Sequence, residues 1–167
     1  VCGKLLACQH ALPCSQTDRI IYSLCSCGCI FHDEPLRRTF HADGLRKSSK
    51  FFDDRLKLYH RTYLPLIEEH TYGRESLDVG FGFPEYIISM RSRGWLADGI
   101  DIIKNDYITG DFETYDFQGK KYDLVILSHV VASFVKPIET LKKAFSILRK
   151  GGLMWLMAPD TSLCLEL

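Results

Sequence analysis

The sequence predicts an α/β fold built on a doubly wound, mostly parallel sheet with helices on both faces. Three observations predict it. Short apolar segments alternate with amphipathic ones between residues 76 and 159. The apolar segments, "YDLVILS" (122–128) above all, run continuously, as strands buried on both faces do. A glycine pair, in "SLDVGFGFPEYI" (76–87), joins the first of these strands to a helix.

The elements follow in order. "FFDDRLKLYHRTYLPLIEEH" (51–70) spaces Leu56, Tyr59, Tyr63 and Leu66 by three and four, which predicts a helix with a kink at Pro65. "SLDVG" (76–80) is a short buried strand. Pro84 suits the first turn of the next helix, where its missing N–H costs nothing. "EYIISMRSR" continues that helix with Tyr86, Ile87 and Met90 on one face, and Gly94 closes it. "WLADGID" (95–101) and the weaker "DYITGDF" (106–112) are the second and third strands, and "YDLVILS" is the fourth. "PIETLKKAFSILRK" (137–150) is predicted as a helix whose core face is Ile138, Leu141, Ala144, Phe145 and Leu148. Arg149 and Lys150 suit its C-terminal dipole, and Gly151 and Gly152 end it. "LMWLMAP" (153–159) is the fifth strand.

Composition bounds the function. The 167 residues are enough for one sizeable core. Lys and Arg number 21, as do Asp and Glu, a balance that argues against a general nucleic-acid binder. No apolar run reaches the length of a membrane span, and the N-terminus lacks the form of a signal peptide, so a cytoplasmic setting is expected. Val1 in place of Met leaves open that the chain is a piece of a longer one. Two regions are expected: a Cys-rich segment with little periodicity over 1–49, and the α/β domain over 50–167. Six of the seven cysteines (Cys2, Cys8, Cys14, Cys25, Cys27 and Cys29) crowd the first region, and Cys164 stands near the end. Such crowding fits a metal module or reduced thiols better than a disulfide framework.

The glycine turn is the centre of the functional reading. Gly80 and Gly82 can take positive φ and let a ligand approach unpaired N–H groups at a helix start; the alternative is a tight turn with no ligand. Asp101, at the end of the second strand, is placed to hold ribose hydroxyls, and Asp111, after the third, to accept from an adenine amino group. With Asp78 they make three acids at the same edge of consecutive strands, which suggests an adenosine-bearing ligand; the plainer alternative is that such acids cap helices or face water. A dinucleotide site wants a third glycine where Glu85 stands, and a carboxylate there repels a diphosphate. A cofactor without phosphate fits better.

On these residues the chain resembles a class I S-adenosylmethionine-dependent methyltransferase of the small-molecule type, with its Rossmann-like sheet. Asp78, Gly80 and Gly82 match the family's first motif, with Pro84 in place of its last glycine. "GIDI" (99–102) resembles the second motif, implying that Asp101 binds the ribose. "GDF" (110–112) resembles the third, implying Asp111 at the adenine amino group and Phe112 beside the ring. "YDLVILSHVVASF" resembles the fourth strand and its loop, implying Ser128 and His129 at the cofactor's edge, with Ala132-Ser133 where many relatives carry Glu-His. The resemblance covers residues 76–160 and implies S-adenosylmethionine as cofactor and a small-molecule methyl acceptor. "YSLCSCGCIFHDEP" is similar to the tail of the zinc-ribbon-like segment some relatives carry, through Cys27-Gly28, Phe31 and Pro35. The spacing of its cysteines departs from a regular knuckle, so the metal stays unassigned.

For the chemistry, His129 is the candidate base, since imidazole titrates near neutrality; the alternative is a positioning or packing histidine. Asp160 is a weaker candidate. Tyr59 and Tyr63 either close over the cofactor or belong to the core. The alternative function is a non-catalytic scaffold with the same fold, and Glu85 disfavours a nicotinamide-dependent oxidoreductase. The family usually adds two strands beyond the fifth. Here, either the chain is a fragment, or another protomer or the N-terminal segment covers that apolar edge, and a homodimer is one expectation.

Overall fold

The computed structural model describes the strands Leu5–Leu12, Ile20–Cys25 and Ile30–His32, and residues 56–158. The chain divides into two compact units, residues 1–40 with 159–167, and residues 41–158.

In the first unit, β1 (Leu5–Leu12), β2 (Ile20–Cys25) and β3 (Ile30–His32) form an antiparallel sheet in the order β1-β2-β3. A register shift between Leu6 and Gln9 breaks the β1–β2 ladder. Runs such as "IIYSLC" have the β-branched and aromatic content of strands, which the cysteines obscured. Cys8 and Cys25 stand in β1 and β2; Cys2, Cys14, Cys27, Cys29, Asp160 and Cys164, and with them the metal reading, lie outside the described residues.

The second unit is the expected parallel sheet. β4 (Glu75–Val79), β5 (Leu96–Asp101), β6 (Ile108–Thr109), β7 (Tyr122–Ser128) and β8 (Leu148–Met157) lie in the order β6-β5-β4-β7-β8, every pair parallel. Alternate residues feed two cores. Leu124 and Ile126 pack with Tyr59, Leu64, Ile67 and the buried side of α2 (Glu85–Ser92). Leu77, Val79, Val125 and Leu127 pack on the opposite face with Ala144 of α3 (Pro137–Ser146). Continuous apolar strands covered on both sides are thus realised.

The helix before β4 is interrupted one turn ahead of Pro65. Tyr59–Tyr63 form a π turn, and Leu64 donates its N–H to the Tyr59 carbonyl before α1 (Leu64–His70) begins. Proline cannot donate to the carbonyl four residues back, and the wider turn accommodates it. The extra residue shifts the buried stripe, so Leu64 and Ile67 are buried and Leu66, part of the spacing that predicted the helix, is exposed. Gly94 closes α2 at φ +83, as the sequence predicts.

Two further corrections concern α3 and its exit. The helix stops at Ser146, and Leu148 already pairs with Tyr122 in β8. Gly151 and Gly152 therefore sit inside a strand, at a register shift opposite Tyr122 and Leu124. A Cβ on Gly152 would lie 3.0 Å from the Arg149 carbonyl and 3.1 Å from that of Asp123, so a side chain there would press on the backbone of the bend. Ile138 and Phe145, predicted to face the core, are 49% and 71% exposed; Ala144 is buried as predicted, together with Thr140, which was not. The third strand shrinks to Ile108–Thr109.

Candidate functional site

The carboxyl edge of β4, β5 and β7 holds the candidate site. In an open parallel sheet the loops on either side of a reversal in strand order leave in opposite directions, and the crevice opens between them. Here β4 runs into α2 on one face, and β7 runs towards α3 on the other.

The glycine turn spans Gly80 to Pro84. Gly80 has φ +63 and continues the ladder by donating its N–H to the Ile100 carbonyl at 2.8 Å. A Cβ here would meet Val130 Cγ2 at 2.3 Å, so the group that excludes a side chain at Gly80 is the protein's own loop after β7. Gly82 has φ +56, and nothing lies within 4 Å of where its Cβ would be. Its N–H points to β5 and donates to Asp101 Oδ2 at 3.0 Å. Pro84 is the N-cap residue of α2, its carbonyl accepting from Ile88 at 2.8 Å, and Glu85 sits in the first turn, where a carboxylate suits the helix dipole.

Asp101 is fixed on three sides. Ile103 donates to Oδ1 at 2.9 Å, Gly82 to Oδ2, and Gly110 to the Asp101 carbonyl at 2.8 Å. The half-buried carboxylate ends β5 with further lone pairs for a hydroxyl ligand. Ile102, 56% exposed, and Ile103 follow it as an apolar shelf. Phe81 packs beneath: a Cβ on Gly99 would lie 2.7 Å from its ring, whose centroid is 5.3 Å from that of Tyr107.

The three acids do not form one edge. Asp78 is 3% exposed within β4, opposite Gly99 and Ile126, beneath the turn and not at its rim. Burial, with the Asp78 charge second, drives the Tyr59 phenol well above its ordinary pKa and keeps it protonated. Asp111 follows β6 and caps a turn: Oδ1 accepts from Glu113 N–H at 2.9 Å, and its carbonyl accepts from Thr114 and Tyr115. Phe112 is in the α3-side core, stacked on Phe134 at 6.3 Å and tilted against Phe117 at 5.7 Å. The structure brings Gly82 and Asp101 together and sets Asp111 and Phe112 in structural contacts of their own.

Ser128 ends β7; its Oγ is buried and finds no hydrogen-bond partner among the described residues. His129 is exposed and takes φ +56, the left-handed region that non-glycine residues seldom occupy, with its N–H donated to the Met157 carbonyl at 2.9 Å. Ala132 and Ser133 lie in a 3₁₀ turn, Val131–Ser133. Glu113 then secures the approach to α3, accepting from Val135 N–H at 3.1 Å, Lys136 N–H at 2.8 Å and the Thr140 hydroxyl at 3.0 Å.

Sequence reading missed Val130, Phe81 and Ile102. Two isoleucines after a strand-ending acid, in "GIDIIKND", carried the signal for the shelf. Nothing local announces Val130, which is defined by its packing on Gly80. Among the described residues no group of three or more His, Cys, Asp or Glu is arranged to hold a metal, and no helix is long and apolar enough to cross a membrane.

Comparisons with known proteins bear on this geometry. The family profile described as a methyltransferase domain matches residues 51–166. Among solved structures, a SAM-dependent methyltransferase from Archaeoglobus fulgidus is 20% identical, with a TM-score of 0.57 and coverage of 71% of this chain and 57% of that one. The PH0226 protein of Pyrococcus horikoshii OT3 is 21% identical, at TM-score 0.55, covering 71% and 59%. SAM-bound CalS10, an amino pentose methyltransferase of Micromonospora echinaspora, is 18% identical, at TM-score 0.57, covering 77% and 60%. These likenesses are of fold, and the chain spans under two thirds of the length of each of these proteins. No curated protein matches the sequence.

Proposed function

The chain belongs to the methyltransferase-domain family, and we propose that it transfers a methyl group from S-adenosylmethionine to a small-molecule acceptor. The observation that carries the reading is the pairing of Gly82 with Asp101 under an open cradle: a positive-φ glycine with free space above its Cα, and a fixed carboxylate at the end of the adjacent strand. The residues fit such a cofactor. Asp101 would hold the ribose hydroxyls, Gly80 and Gly82 would admit the backbone contact, and Ile102 offers an apolar face for the base. Asp111 and Ser128 are proposed at its edges, Ser128 through its buried Oγ. Asp78 would act from beneath the turn, and Phe112 by supporting the loop of Asp111 from the core.

When bound, S-adenosylmethionine supplies an electrophilic methyl group, and the protein's part is to bind, orient and exclude water. Alignment of the reacting atoms can lower such a barrier by roughly 7–11 kcal/mol. His129, projecting from the end of β7 on a left-handed backbone, is the proposed base for an acceptor that must lose a proton. The proposed domain is 50–167, in a cytoplasmic setting, and β8, the edge strand of the sheet, is the proposed face of a homodimer.

A second reading is a non-catalytic member of the family acting through protein contacts. Val130 favours it, since its methyl group occupies the approach to Gly80. Titration calorimetry with S-adenosylmethionine, S-adenosylhomocysteine and NAD separates the cases. The main reading expects both sulfur compounds to bind and NAD not to. NAD binding alone overturns it, and cofactor binding without methyl transfer across an acceptor panel favours the second.

A further inference from the structure

Strand register sets Asp78 of β4, Ile126 of β7 and Trp155 of β8 side by side in one row. Ile126 and Trp155 belong to the core on the α1 and α2 side. Around this row three polar groups are buried and have no hydrogen-bond partner among the described residues: the Tyr59 hydroxyl, Ser128 Oγ and Trp155 Nε1. Buried donors are nearly always paired. Three orphans on one face, close to the carboxyl end of the sheet, point to a polar occupant. Trp155 says most about it, because an indole N–H can only donate, so the occupant must bring an acceptor atom.

The indole also has a ring neighbour. Tyr63 lies against it at 5.4 Å, tilted by 49°. Tyr63 ends the π turn that interrupts the helix ahead of Pro65, and is half-buried. Such turns recur at functional sites. A flat ring that takes the place of the Tyr63 side chain would meet the indole face and reach its N–H. Trp155 lies across β7 from β4, the strand whose carboxyl end carries the Gly82–Asp101 cradle.

We propose that Trp155 is a specificity-determining residue of the acceptor site, selecting a flat, conjugated acceptor with a hydrogen-bond-accepting edge; this rests on the methyl-transfer reading above. Its N–H fixes the edge of the acceptor, and its ring selects flatness. Tyr63 moves aside when the acceptor enters.

The test uses the chain labelled with 5-fluorotryptophan and saturated with S-adenosylhomocysteine. Three probes are titrated: quinoline, flat with an acceptor nitrogen; naphthalene, the same shape without it; and cyclohexanone, an acceptor without a flat ring. Quinoline is expected to shift the Trp155 fluorine resonance and leave that of Trp95 in place. The other two are expected to bind at least about fivefold more weakly, the loss of one neutral hydrogen bond or of the ring contact. Trp155→Phe should weaken quinoline by about fivefold with S-adenosylhomocysteine affinity unchanged. Equal binding of the three probes, or none moving Trp155, overturns the proposal and leaves the cofactor reading intact. The fluorine measurement stands even if Trp155→Phe does not fold. Failure of S-adenosylhomocysteine to bind removes the cofactor reading, and this proposal with it.

Discussion

Gly82 and Asp101 are joined directly, the glycine N–H donating to the carboxylate Oδ2 at 3.0 Å across the carboxyl ends of β4 and β5. The other oxygen is held by Ile103 N–H at 2.9 Å, so the acid is aimed before any ligand arrives. Preorganisation of this kind lowers the ordering cost of binding. Asp101→Asn keeps the shape and one acceptor but removes the charge. It is expected to weaken S-adenosylhomocysteine binding tenfold or more, at about 1.5–3 kcal/mol for a charged hydrogen bond. Titration calorimetry measures this, and thermal melting checks that the fold persists.

Gly80 and Gly82 should respond differently to alanine. Both have positive φ, so each substitution costs ~1–2 kcal/mol in backbone strain. Only at Gly80 does the new Cβ strike Val130, adding ~1–3 kcal/mol of overpacking. Urea denaturation is expected to rank Gly80→Ala below Gly82→Ala. Adding Val130→Ala to Gly80→Ala should recover part of the loss, a coupling that a double-mutant cycle reads directly.

His129 combines strain with its proposed catalytic role. Its φ of +56 costs energy that glycine would not pay. His129→Gly is therefore expected to leave the protein as stable or more so, by up to about 1 kcal/mol, and to bind S-adenosylhomocysteine as before. Methyl transfer to an acceptor that must lose a proton should fall by about 10²-fold or more. Unchanged turnover would return His129 to a positioning role.

Much of this was legible in the sequence because it followed from local chemistry. β7 spans the residues predicted for it, since a continuous apolar run has few other homes. Asp101, at the end of a strand beside a glycine turn, was marked by spacing alone. What escaped depended on partners distant in the chain. Arg149, Lys150 and the two glycines have the composition of a helix end, yet pairing of Leu148 with Tyr122 draws them into β8. Phe112 packs against Phe117 and Phe134, contacts that nothing in the local sequence announces. Asp111 has the place of a ligand group and the hydrogen bonds of a turn cap.

Glu68 gives the fold a definite acid response. It accepts from Arg93, from Arg74 at 2.6 Å and from the Trp95 indole at 3.2 Å, tying α1 to the end of α2 and the start of β5. The Arg93 hydrogen bond, aided by those of Trp95 and Arg74, lowers its pKa to about 2, against the desolvation that opposes it. A carboxyl depressed on folding stabilises above its ordinary pKa, and the contribution fades as pH falls from about 4.5 to about 2. Glu68→Gln is expected to cost about 1 kcal/mol at neutral pH, since the ion pairs are partly exposed. The variant should also lose less stability than the parent between those pH values, as melting curves across the range would record.

The central claim, a nucleoside cofactor held by Asp101 and the glycine turn, is tested most directly by titrating ¹⁵N-labelled protein with S-adenosylhomocysteine. Saturable amide shifts are expected to be largest at Gly80, Gly82, Ile102 and Ile103, and to be lost in Asp101→Asn. Absence of binding, or shifts confined to the opposite edge of the sheet around Leu96 and Tyr122, would contradict it.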